Sequence, residues 1–459
     1  MIPLTVEQVA DVVGGEPCDA GVGRDTVVEV TIDSRTVVAG SLFVPLPGEQ
    51  VDGHDFVDDA VARGAAGYLW QVDRPAPDHP GGVLVDDPAD ALLGLGAWVR
   101  EQVGPTVIAI TGSSGKTTTK DLVAAATGAG RRTVANQGSY NNELGVPLTC
   151  CRLTADTEVL VAEIGTRGIG HIARLAPVLA PDIAVVTTVG ASHLAMLGDI
   201  DTVARAKVEL VHALTPDGIA VLNADDPRVA VMAEQAPGRV VTYGRRADAD
   251  WRPDHVELDE LARPVFTVRG RRVRLALPGE HNVGNALAAL AAADLVGVDL
   301  ERAAAALESA TVSPWRMQLL RTPGGVVILN DAYNANPPSM AAALLTLSRI
   351  TTGGRRWAVL GHMAELGPGS EEAHREVGRH AARLGIDGLV VVGEAAAAIR
   401  DGAMQSGAYA EHDVVGVAGP DQAVASLRGR LRRDDAVLVK ASRSVGLEHL
   451  PDALAGEGP

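Results

Sequence analysis

Residues 106–120 read TVIAITGSSGKTTTK and contain the residue types that bind a nucleotide phosphate. An apolar, β-branched run ends there in a glycine-rich turn, which Lys116 and three threonines follow. A strand that opens through glycines into a helix directs successive backbone N–H groups at one point, where a phosphate is favoured. Gly112 and Gly115 would let the backbone approach closely. Lys116 would then reach the β/γ-phosphates, and the Thr117 hydroxyl would hold Mg²⁺.

Four further residues with charged or metal-binding side chains follow this loop along the chain. Glu163 ends the run EVLVAEIG, where a carboxylate could hold Mg²⁺ or simply face solvent. His193, after the run DIAVVTT, could bind a metal or phosphate, or only a hydrogen-bond partner in its loop. Lys207 lies in a helical pattern, which by itself indicates a solvated side chain. Arg316 could bring its guanidinium to the nucleotide when domains close, or be an ordinary surface arginine.

Clustered amides mark two more segments. ANQGSYNNELGVP contains Asn136, Asn141 and Asn142, which could bind a polar ligand or build a turn. Asn282 and Asn285 in GEHNVGNALAAL are three residues apart and therefore share a helix face. They could read an adenine edge or cap the helix.

Short polar residues also follow two strands of the last third of the chain. DAYNANPPSM contains Asp331, Asn334 and Asn336, and VKASRSVGLE contains Ser442 and Arg443. Ligands of open parallel sheets gather at the carboxyl ends of strands. A cation and a hydroxyl at such a position could hold a carboxylate or an amino-acid-like substrate.

The hydrophobic pattern predicts an α/β protein whose three domains position these residues. We expect a small α/β domain at 1–104, a central domain at 105–312 and a Rossmann-like domain at 313–459. The central block alternates strands with helices such as Lys116–Gly128, which argues for a parallel sheet covered on both faces. A more polar, β-like stretch at 239–277 precedes an Ala-rich helix from Asn282. The third block repeats the alternation of strand, turn and helix.

Composition excludes several classes of protein. The 459 residues include 40 Lys and Arg against 58 Asp and Glu, a net charge of −18, which is unfavourable for a nucleic-acid binder. Three cysteines give neither a disulfide framework nor a zinc spacing. We find no signal peptide and no apolar run long enough for a bilayer, so we expect a cytoplasmic protein, and we favour a monomer.

Taken in order, the motifs resemble those of the Mur ligases over nearly the whole chain. The matching segments are TGSSGKTTTK, NQGSYNNELGVPLT, EIG, SHL, AKVE, HNVGNALAA, RMQ, DAYNANPPSM, MAELG and VKASRS. The resemblance implies a ligase that uses ATP and Mg²⁺ to join D-alanyl-D-alanine to the carboxylate of UDP-N-acetylmuramoyl-tripeptide through an acyl phosphate, in peptidoglycan precursor synthesis. It also makes the first domain a UDP-substrate domain, the second an ATP-binding domain and the third a dipeptide-binding domain.

The resemblance implies a role for each candidate residue. The catalytic residues would be Lys116, Lys207, His193 and Arg316. The ATP site would comprise Gly112, Ser113, Ser114, Gly115, Lys116, Thr117, Thr118, Asn282, Asn285, Arg316 and Asp331. The metal would be held by Thr117, Glu163, His193 and Lys207, the last as a carbamate. The uridine nucleotide would meet Ser34 and Arg35, and the muramoyl-peptide Asn136, Asn141 and Asn142. The dipeptide would meet Asn334, Asn336, Ser442 and Arg443.

Two alternatives remain at this stage. A P-loop switch that hydrolyses a nucleotide to change partners would explain the phosphate loop and Glu163, but not the Asn136–Asn142 amides or DAYNANPPSM. A sibling amide ligase of the folylpolyglutamate or diamino-acid-adding type would share the ATP chemistry. The chain has no DNPR-type motif, which the ligase that adds the third stem-peptide residue usually shows.

Overall fold

The computed structural model describes residues 1–18, 25–48, 51–75, 79–190 and 194–456. Three parallel-sheet units follow one another along these residues, which confirms the predicted α/β class. Among the described residues, no helix combines the length and apolar character needed to cross a membrane.

The first unit is a five-stranded sheet of order β2-β7-β6-β5-β4, in which β4 to β7 are parallel and β2 is an antiparallel edge. A short antiparallel pair, β1 and β3, lies beside it. The strands are β1 (Leu4–Thr5), β2 (Glu16–Pro17), β3 (Thr26–Val27), β4 (Glu29–Thr31), β5 (Ser41–Phe43), β6 (Gly67–Gln71) and β7 (Gly82–Val85). The α-helices are α1 (Val6–Val13), α2 (Val57–Ala62) and α3 (Pro88–Val103).

Helix α3 connects this unit to the next. Asp87 caps it by accepting hydrogen bonds from the N–H groups of Ala89 and Asp90, and Pro88 occupies the first turn, where its missing N–H costs nothing. Gly104 ends the helix in the left-handed region at φ 62°. The chain then enters the strand that leads to the phosphate loop.

The second unit contains a six-stranded, fully parallel sheet of order β13-β12-β11-β8-β10-β9 and a separate antiparallel sheet of order β14-β15-β16. The strands are β8 (Thr106–Thr111), β9 (Thr133–Ala135), β10 (Val159–Glu163), β11 (Ile183–Val186), β12 (Ile219–Asn223), β13 (Arg239–Tyr243), β14 (His255–Leu258), β15 (Pro264–Val268) and β16 (Arg271–Arg274). The α-helices are α4 (Lys116–Gly128), α5 (Gly145–Cys151), α6 (His171–Leu179), α7 (Leu194–Leu197), α8 (Ile200–His212), α9 (Pro227–Ala230), α10 (Asn282–Leu295) and α11 (Leu300–Glu308).

The third unit is a six-stranded sheet of order β17-β18-β22-β19-β20-β21, parallel except for the edge strand β17. Its strands are β17 (Gln318–Arg321), β18 (Val327–Asn330), β19 (Arg356–Gly361), β20 (Gly388–Val392), β21 (Val414–Val417) and β22 (Ala436–Lys440). The α-helices are α12 (Pro337–Arg349), α13 (Ser370–Arg383), α14 (Ala397–Gln405), α15 (Pro420–Arg428) and α16 (Leu450–Ala455).

Strand β8 is the point where the strand order of the central sheet reverses. Its neighbours are β10 and β11, which follow it in the chain on opposite sides. Its side chains alternate between two cores, with Val107 and Ala109 in one and Ile108 and Ile110 in the other. The loops after β8, β10 and β11 therefore open at one edge of the sheet, where α/β proteins bind ligands.

The first of these cores continues from the central sheet into the first unit. It joins Leu92, Leu95 and Val99 of α3 to Val146 of α5 and to Val107. Gly96 lies at the closest approach of the two helices, since a Cβ there would be 2.7 Å from Cα and Cβ of Pro147. A small residue in α3 therefore sets the separation between the first two units.

Two substitutions in α3 test this packing. We expect Gly96→Ala to destabilise the protein by about 1–3 kcal/mol, because the added methyl group overpacks the contact with Pro147. Gly94→Ala is the matched control on the same helix. Gly94 is exposed and a Cβ there would meet no atom within 4 Å, so we expect a gain of about 0.5–1 kcal/mol. Thermal unfolding measures both, and equal midpoints for the two variants would contradict the packing described.

Candidate active site

The loop after β8 is built to bring backbone close to a ligand. Gly112 has φ 153° and Gly115 has φ 82°, and both values favour glycine. A Cβ on Gly112 would lie 1.9 Å from Oγ1 of Thr187, and one on Gly115 would lie 2.8 Å from Oδ1 of Asn285. A side chain at either position would collide with these neighbours, so the turn that the sequence predicts as a cradle for a phosphate requires glycine at both.

Helix α4 presents its N-terminus to this cradle. The N–H of Thr119 makes the first helical hydrogen bond, to the carbonyl of Gly115. The N–H groups of Lys116, Thr117 and Thr118 donate to no other residue in the described part of the chain. Unpaired N–H groups and the helix dipole together favour an anion.

The segment after β11 holds the loop in shape. Ser113 N–H donates to the carbonyl of Thr188 at 2.7 Å, and Ser114 N–H donates to Oγ1 of Thr188 at 3.1 Å. The Thr187 hydroxyl donates to the carbonyl of Ser114 at 2.6 Å. The phosphate loop is thus fixed by the neighbouring strand as well as by its own glycines.

Lys116 lies within the loop, and its Nζ donates to the carbonyl of Gly112 at 2.8 Å. Burial lowers the pKa of this lysine, the charge of Glu163 opposes that shift, and the positive charge of Arg316 adds to it. An anion bound in the cradle would favour the charged form of Lys116 and thus reverse the effect of burial.

A carboxylate and a hydroxyl meet beside the loop. The Thr117 hydroxyl donates to Oε2 of Glu163 at 2.6 Å, and Nδ2 of Asn141 donates to Oε1 at 2.6 Å. Glu163 is buried, and its N–H donates to the Oδ1 of Asn136 at 2.9 Å. These are oxygen ligands of the kind that Mg²⁺ prefers. Among the described residues, no group of three or more His, Cys, Asp or Glu forms a metal cluster.

Residues of the third unit and its hinge contact this site directly. Nη2 of Arg316 donates to Oγ of Ser139 at 2.7 Å, and that oxygen is 3.3 Å from Oγ1 of Thr117. Nε of Arg316 is buried without a hydrogen-bond partner among the residues described. Nδ2 of Asn336 donates to Oγ of Ser114 at 3.2 Å. The two units therefore meet across the phosphate loop.

Lys207 is 2% exposed in α8, contrary to a solvated helix surface. Burial and the nearby charge of Lys116 lower its pKa well below the ordinary value. The sequence contains four lysines in all, and the other three, Lys120, Lys440 and Lys116, are buried or partly buried. Three of the four lysines are thus buried and Lys116 is partly buried, and the lowered pKa of Lys207 favours its neutral amine.

The amides of α10 contact one another beside the loop. Nδ2 of Asn285 donates to Oδ1 of Asn282 at 2.8 Å, while Nδ2 of Asn282 donates to the carbonyl of Pro278 at 2.7 Å. Oδ1 of Asn285 also accepts from the Thr119 hydroxyl at 3.1 Å. Asn285 thus links α10 to α4 and lies beside Gly115 of the phosphate loop, and Asn282 supports it from within α10.

Asp331 and a lysine shape the DAYNANPPSM loop. Nζ of Lys440 contacts Oδ2 of Asp331 at 2.5 Å and the carbonyl of Asn334 at 2.8 Å. Oδ1 of Asp331 accepts from the N–H of Met317 at 3.0 Å, which ties the loop to the hinge. The hydroxyl of Ser442 lies near the same loop, 3.5 Å from Oδ1 of Asn334.

Several predicted site residues make local contacts. Asn142 accepts from the N–H of Gly145 at the start of α5, and Asn336 caps α12 through the N–H of Ser339. Ser34 and Arg35 form a 3₁₀ turn after β4, where Arg35 pairs with Asp33 at 2.8 Å. His193 lies outside the described residues.

Sequence reasoning missed three residues that hold the site together, namely Ser139, Thr187 and Thr188. Ser139 connects Thr117 to Arg316. A serine among asparagines gives no signal of its own. The two threonines end the run DIAVVTT, and only their position after the strand next to β8 could have indicated a role.

Comparison with known proteins gives the same assignment along the whole chain. Residues 26–86 match the Mur ligase family catalytic domain, 110–293 the Mur ligase middle domain and 315–443 the Mur ligase glutamate ligase domain. A Mycobacterium tuberculosis protein named UDP-N-acetylmuramoyl-tripeptide–D-alanyl-D-alanine ligase is 43% identical, over 100% of this chain and 98% of its own length.

Solved structures agree. A crystal structure of MurF from Acinetobacter baumannii superposes with a TM-score of 0.88 at 31% identity and covers 99% of both chains. MurF ligase from Thermotoga maritima in complex with ADP superposes with a TM-score of 0.80 at 28% identity, covering 94% of this chain and 97% of that one. On its sequence, its fold and the residues around its phosphate loop, the chain belongs to the Mur ligase family.

Proposed function

We propose that this chain is an ATP-dependent ligase that joins D-alanyl-D-alanine to the carboxylate of UDP-N-acetylmuramoyl-tripeptide in peptidoglycan precursor synthesis. The observation that carries the proposal is the convergence of Lys116, the Thr117–Glu163 pair and Arg316 on one phosphate loop. The names of the relatives, which cover the chain from end to end, support the choice of substrates.

A carboxylate does not condense with an amine in water, because it is a poor electrophile. Phosphorylation by ATP converts it to an acyl phosphate, which the amine attacks, and phosphate leaves from the tetrahedral intermediate. The protein needs no covalent nucleophile for this chemistry. It has to position the reactants and balance the charge of the transferred phosphoryl group.

The residues of the site suit those tasks. The free N–H groups at the start of α4 would hold the phosphates, and Lys116 and Arg316 would balance their charge. Thr117 and Glu163 would hold Mg²⁺ together with oxygens of the phosphates. Mg²⁺ is usually bound in this way, by one or two protein side chains and the substrate, and does not need a site made of protein ligands alone. Bound Mg²⁺ would neutralise charge on the phosphates. We assign His193 and a carbamate on Lys207 to the same metal site.

The three predicted domains divide the substrates. We assign the uridine nucleotide to 1–104 around Ser34 and Arg35, ATP to 105–312, and the dipeptide to 313–459. Asn141 would face the muramoyl-peptide, since its amide lies on Glu163 at the edge of the ATP site. We also propose that the enzyme is a cytoplasmic monomer, in which Arg316 and Asn336 reach the phosphate-loop region of their own chain.

One assay tests the assignment. The protein is incubated with ATP, Mg²⁺, UDP-N-acetylmuramoyl-tripeptides and a mixed pool of amines, and the product is identified by mass spectrometry. We expect the D-alanyl-D-alanine adduct, with ¹⁸O passing from the acceptor carboxylate into the released phosphate. An adduct with glutamate or a diamino acid would indicate a sibling ligase. ATP hydrolysis that ignores every amine would favour a P-loop switch.

Removal of the loop lysine should affect turnover far more than folding. We expect Lys116→Ala to lower kcat by about 10²–10³-fold, the usual cost of losing one charge-stabilising group at a reacting centre. Its unfolding midpoint should not fall, because burial already disfavours the charge of this lysine. Arg272→Ala, which removes an exposed cation on β16, is the control and should keep the wild-type kcat. Wild-type kcat in the Lys116→Ala variant would show that this lysine has no role in the reaction.

Lys207 offers a spectroscopic test. CO₂ adds only to a neutral amine, and the lowered pKa of Lys207 favours that form. We expect protein equilibrated with ¹³CO₂ to show a ¹³C carbamate resonance that is absent in Lys207→Ala, apart from any signal of the N-terminal amine that both proteins share. That variant should be inactive and regain part of its activity with short carboxylic acids. Full activity of Lys207→Ala without such acids would show that the lysine is not a ligand.

A further inference from the structure

Two arginines and two aromatic rings form one stack where the hinge meets the third unit. The guanidinium carbon of Arg316 lies 4.0 Å from the centre of the Tyr333 ring. The guanidinium carbon of Arg443 lies 4.1 Å from the centre of the Trp315 ring and 5.9 Å from that of Tyr333. The ring of Tyr333 is therefore shared by both cations, and neither aromatic residue has a role in the chemistry described so far.

The backbone fixes the two rings relative to each other. The N–H of Tyr333 donates to the carbonyl of Trp315 at 3.2 Å. Trp315 has φ 61° and Met317 has φ 50°, both in the left-handed region, so the hinge is strained on each side of Arg316. The bond from the N–H of Met317 to Asp331 holds this conformation. The backbone itself therefore fixes the positions of the two rings.

Arg443 is held in one orientation, but some of its hydrogen-bond donors remain unused. Its Nε lies 3.2 Å from Oε1 of Glu448, one face of its guanidinium lies on Trp315, and its side chain is 50% exposed. Its two terminal nitrogens donate to no residue in the ranges described. A guanidinium that is held through Nε and through one face can still bind a carboxylate with its two terminal nitrogens. D-alanyl-D-alanine reacts through its amine and so carries a free carboxylate into the site.

Arg316 lies at the other end of the stack. Its Nη2 contacts Ser139, which lies beside Thr117 in the phosphate loop. One arginine of the stack therefore reaches the side of the phosphate loop, and the other belongs to the third unit. The attraction between a guanidinium and an aromatic face holds each arginine against a rigid ring.

We propose that Tyr333, together with Trp315, is a positioning residue that fixes Arg443 to receive the carboxylate of the incoming dipeptide and couples it to Arg316 at the phosphates. The proposal rests on the proposed function and adds to it the origin of selectivity for a dipeptide with a free carboxyl terminus. Tyr333 acts through the two arginines and contacts no reacting atom.

The test compares D-alanyl-D-alanine with its C-terminal amide as substrates at saturating ATP and tripeptide. We expect Tyr333→Leu to raise KM for the acid by about 5- to 30-fold and to lower the preference for the acid over the amide. Arg443→Lys should do the same, because it keeps the charge but loses the planar fork. Tyr333→Phe keeps the ring and should restore most of the KM and of the preference lost in Tyr333→Leu.

Arg269→Gln is the control. It removes a guanidinium that lies 3.7 Å from the Trp251 ring, in the antiparallel sheet of the central unit, and should change neither constant. Wild-type KM and preference in both Tyr333→Leu and Arg443→Lys would overturn the proposal. So would an equal loss of acid and amide turnover, which is the mark of a general structural defect.

The same assay distinguishes a variant that does not fold from a failure of the proposed function. If Tyr333→Leu does not fold, Arg443→Lys decides the matter, since its side chain is half exposed and its charge is retained. If the wild-type enzyme itself makes no product from D-alanyl-D-alanine, the proposed function fails before any variant is compared. A failure confined to the variants contradicts the stack alone.

Discussion

The ATP site collects more positive charge than its own carboxylate can balance, and the rest of the structure follows from this constraint. Arg316 lies close enough to lower the pKa of Lys116, Lys116 in turn lowers that of Lys207, and Glu163 is the counter-charge near Lys116. Burial first, and then repulsion from a neighbouring positive charge, lowers the pKa of both lysines. The stable resolution is an anionic ligand. A bound polyphosphate would neutralise the excess positive charge of the site. The same electrostatic attraction would favour its binding.

The contacts between units serve the same constraint. Arg316 comes from the hinge and Asn336 from the third unit, yet both reach side chains of the phosphate loop region, Ser139 and Ser114. The charge balance is therefore complete only when the units meet. Movement of the third unit would withdraw a cation from the phosphates and would open the site to water. The site as observed therefore depends on contact of the hinge and the third unit with the phosphate-loop region.

The sequence predicted the framework well, because parallel α/β sheets have strong local patterns. Strand β8 and helix α4 lie within a residue of their expected bounds, and the phosphate loop was evident from glycines and Lys116 alone. Strand β6, GYLWQ, was missed because no alternation marks a strand buried on both faces. The polar stretch from 239 proved to be a sixth parallel strand, β13, followed by a separate antiparallel sheet.

The site was less predictable, because its contacts join residues far apart in sequence. Nothing local in Ser139 indicates that it touches Arg316, 177 residues later. Similarly, the pattern around Lys207 indicates a solvated helix, and only the packing of α8 shows that the amine is buried. The amides at 136–142 look equivalent in sequence, yet Asn136 supports the backbone of Glu163, Asn141 its side chain, and Asn142 a helix.

The scarcity of lysine has a practical consequence. Lys120, Lys207 and Lys440 are buried, Lys116 lies partly buried in the phosphate loop, and arginine supplies the cations of the surface. Reagents that acylate primary amines therefore find few side-chain targets on the folded enzyme. The rate of acylation would instead depend on how often the units separate and expose these amines. The number of acyl groups added with time, measured by mass spectrometry, would therefore report how often the units of this ligase separate.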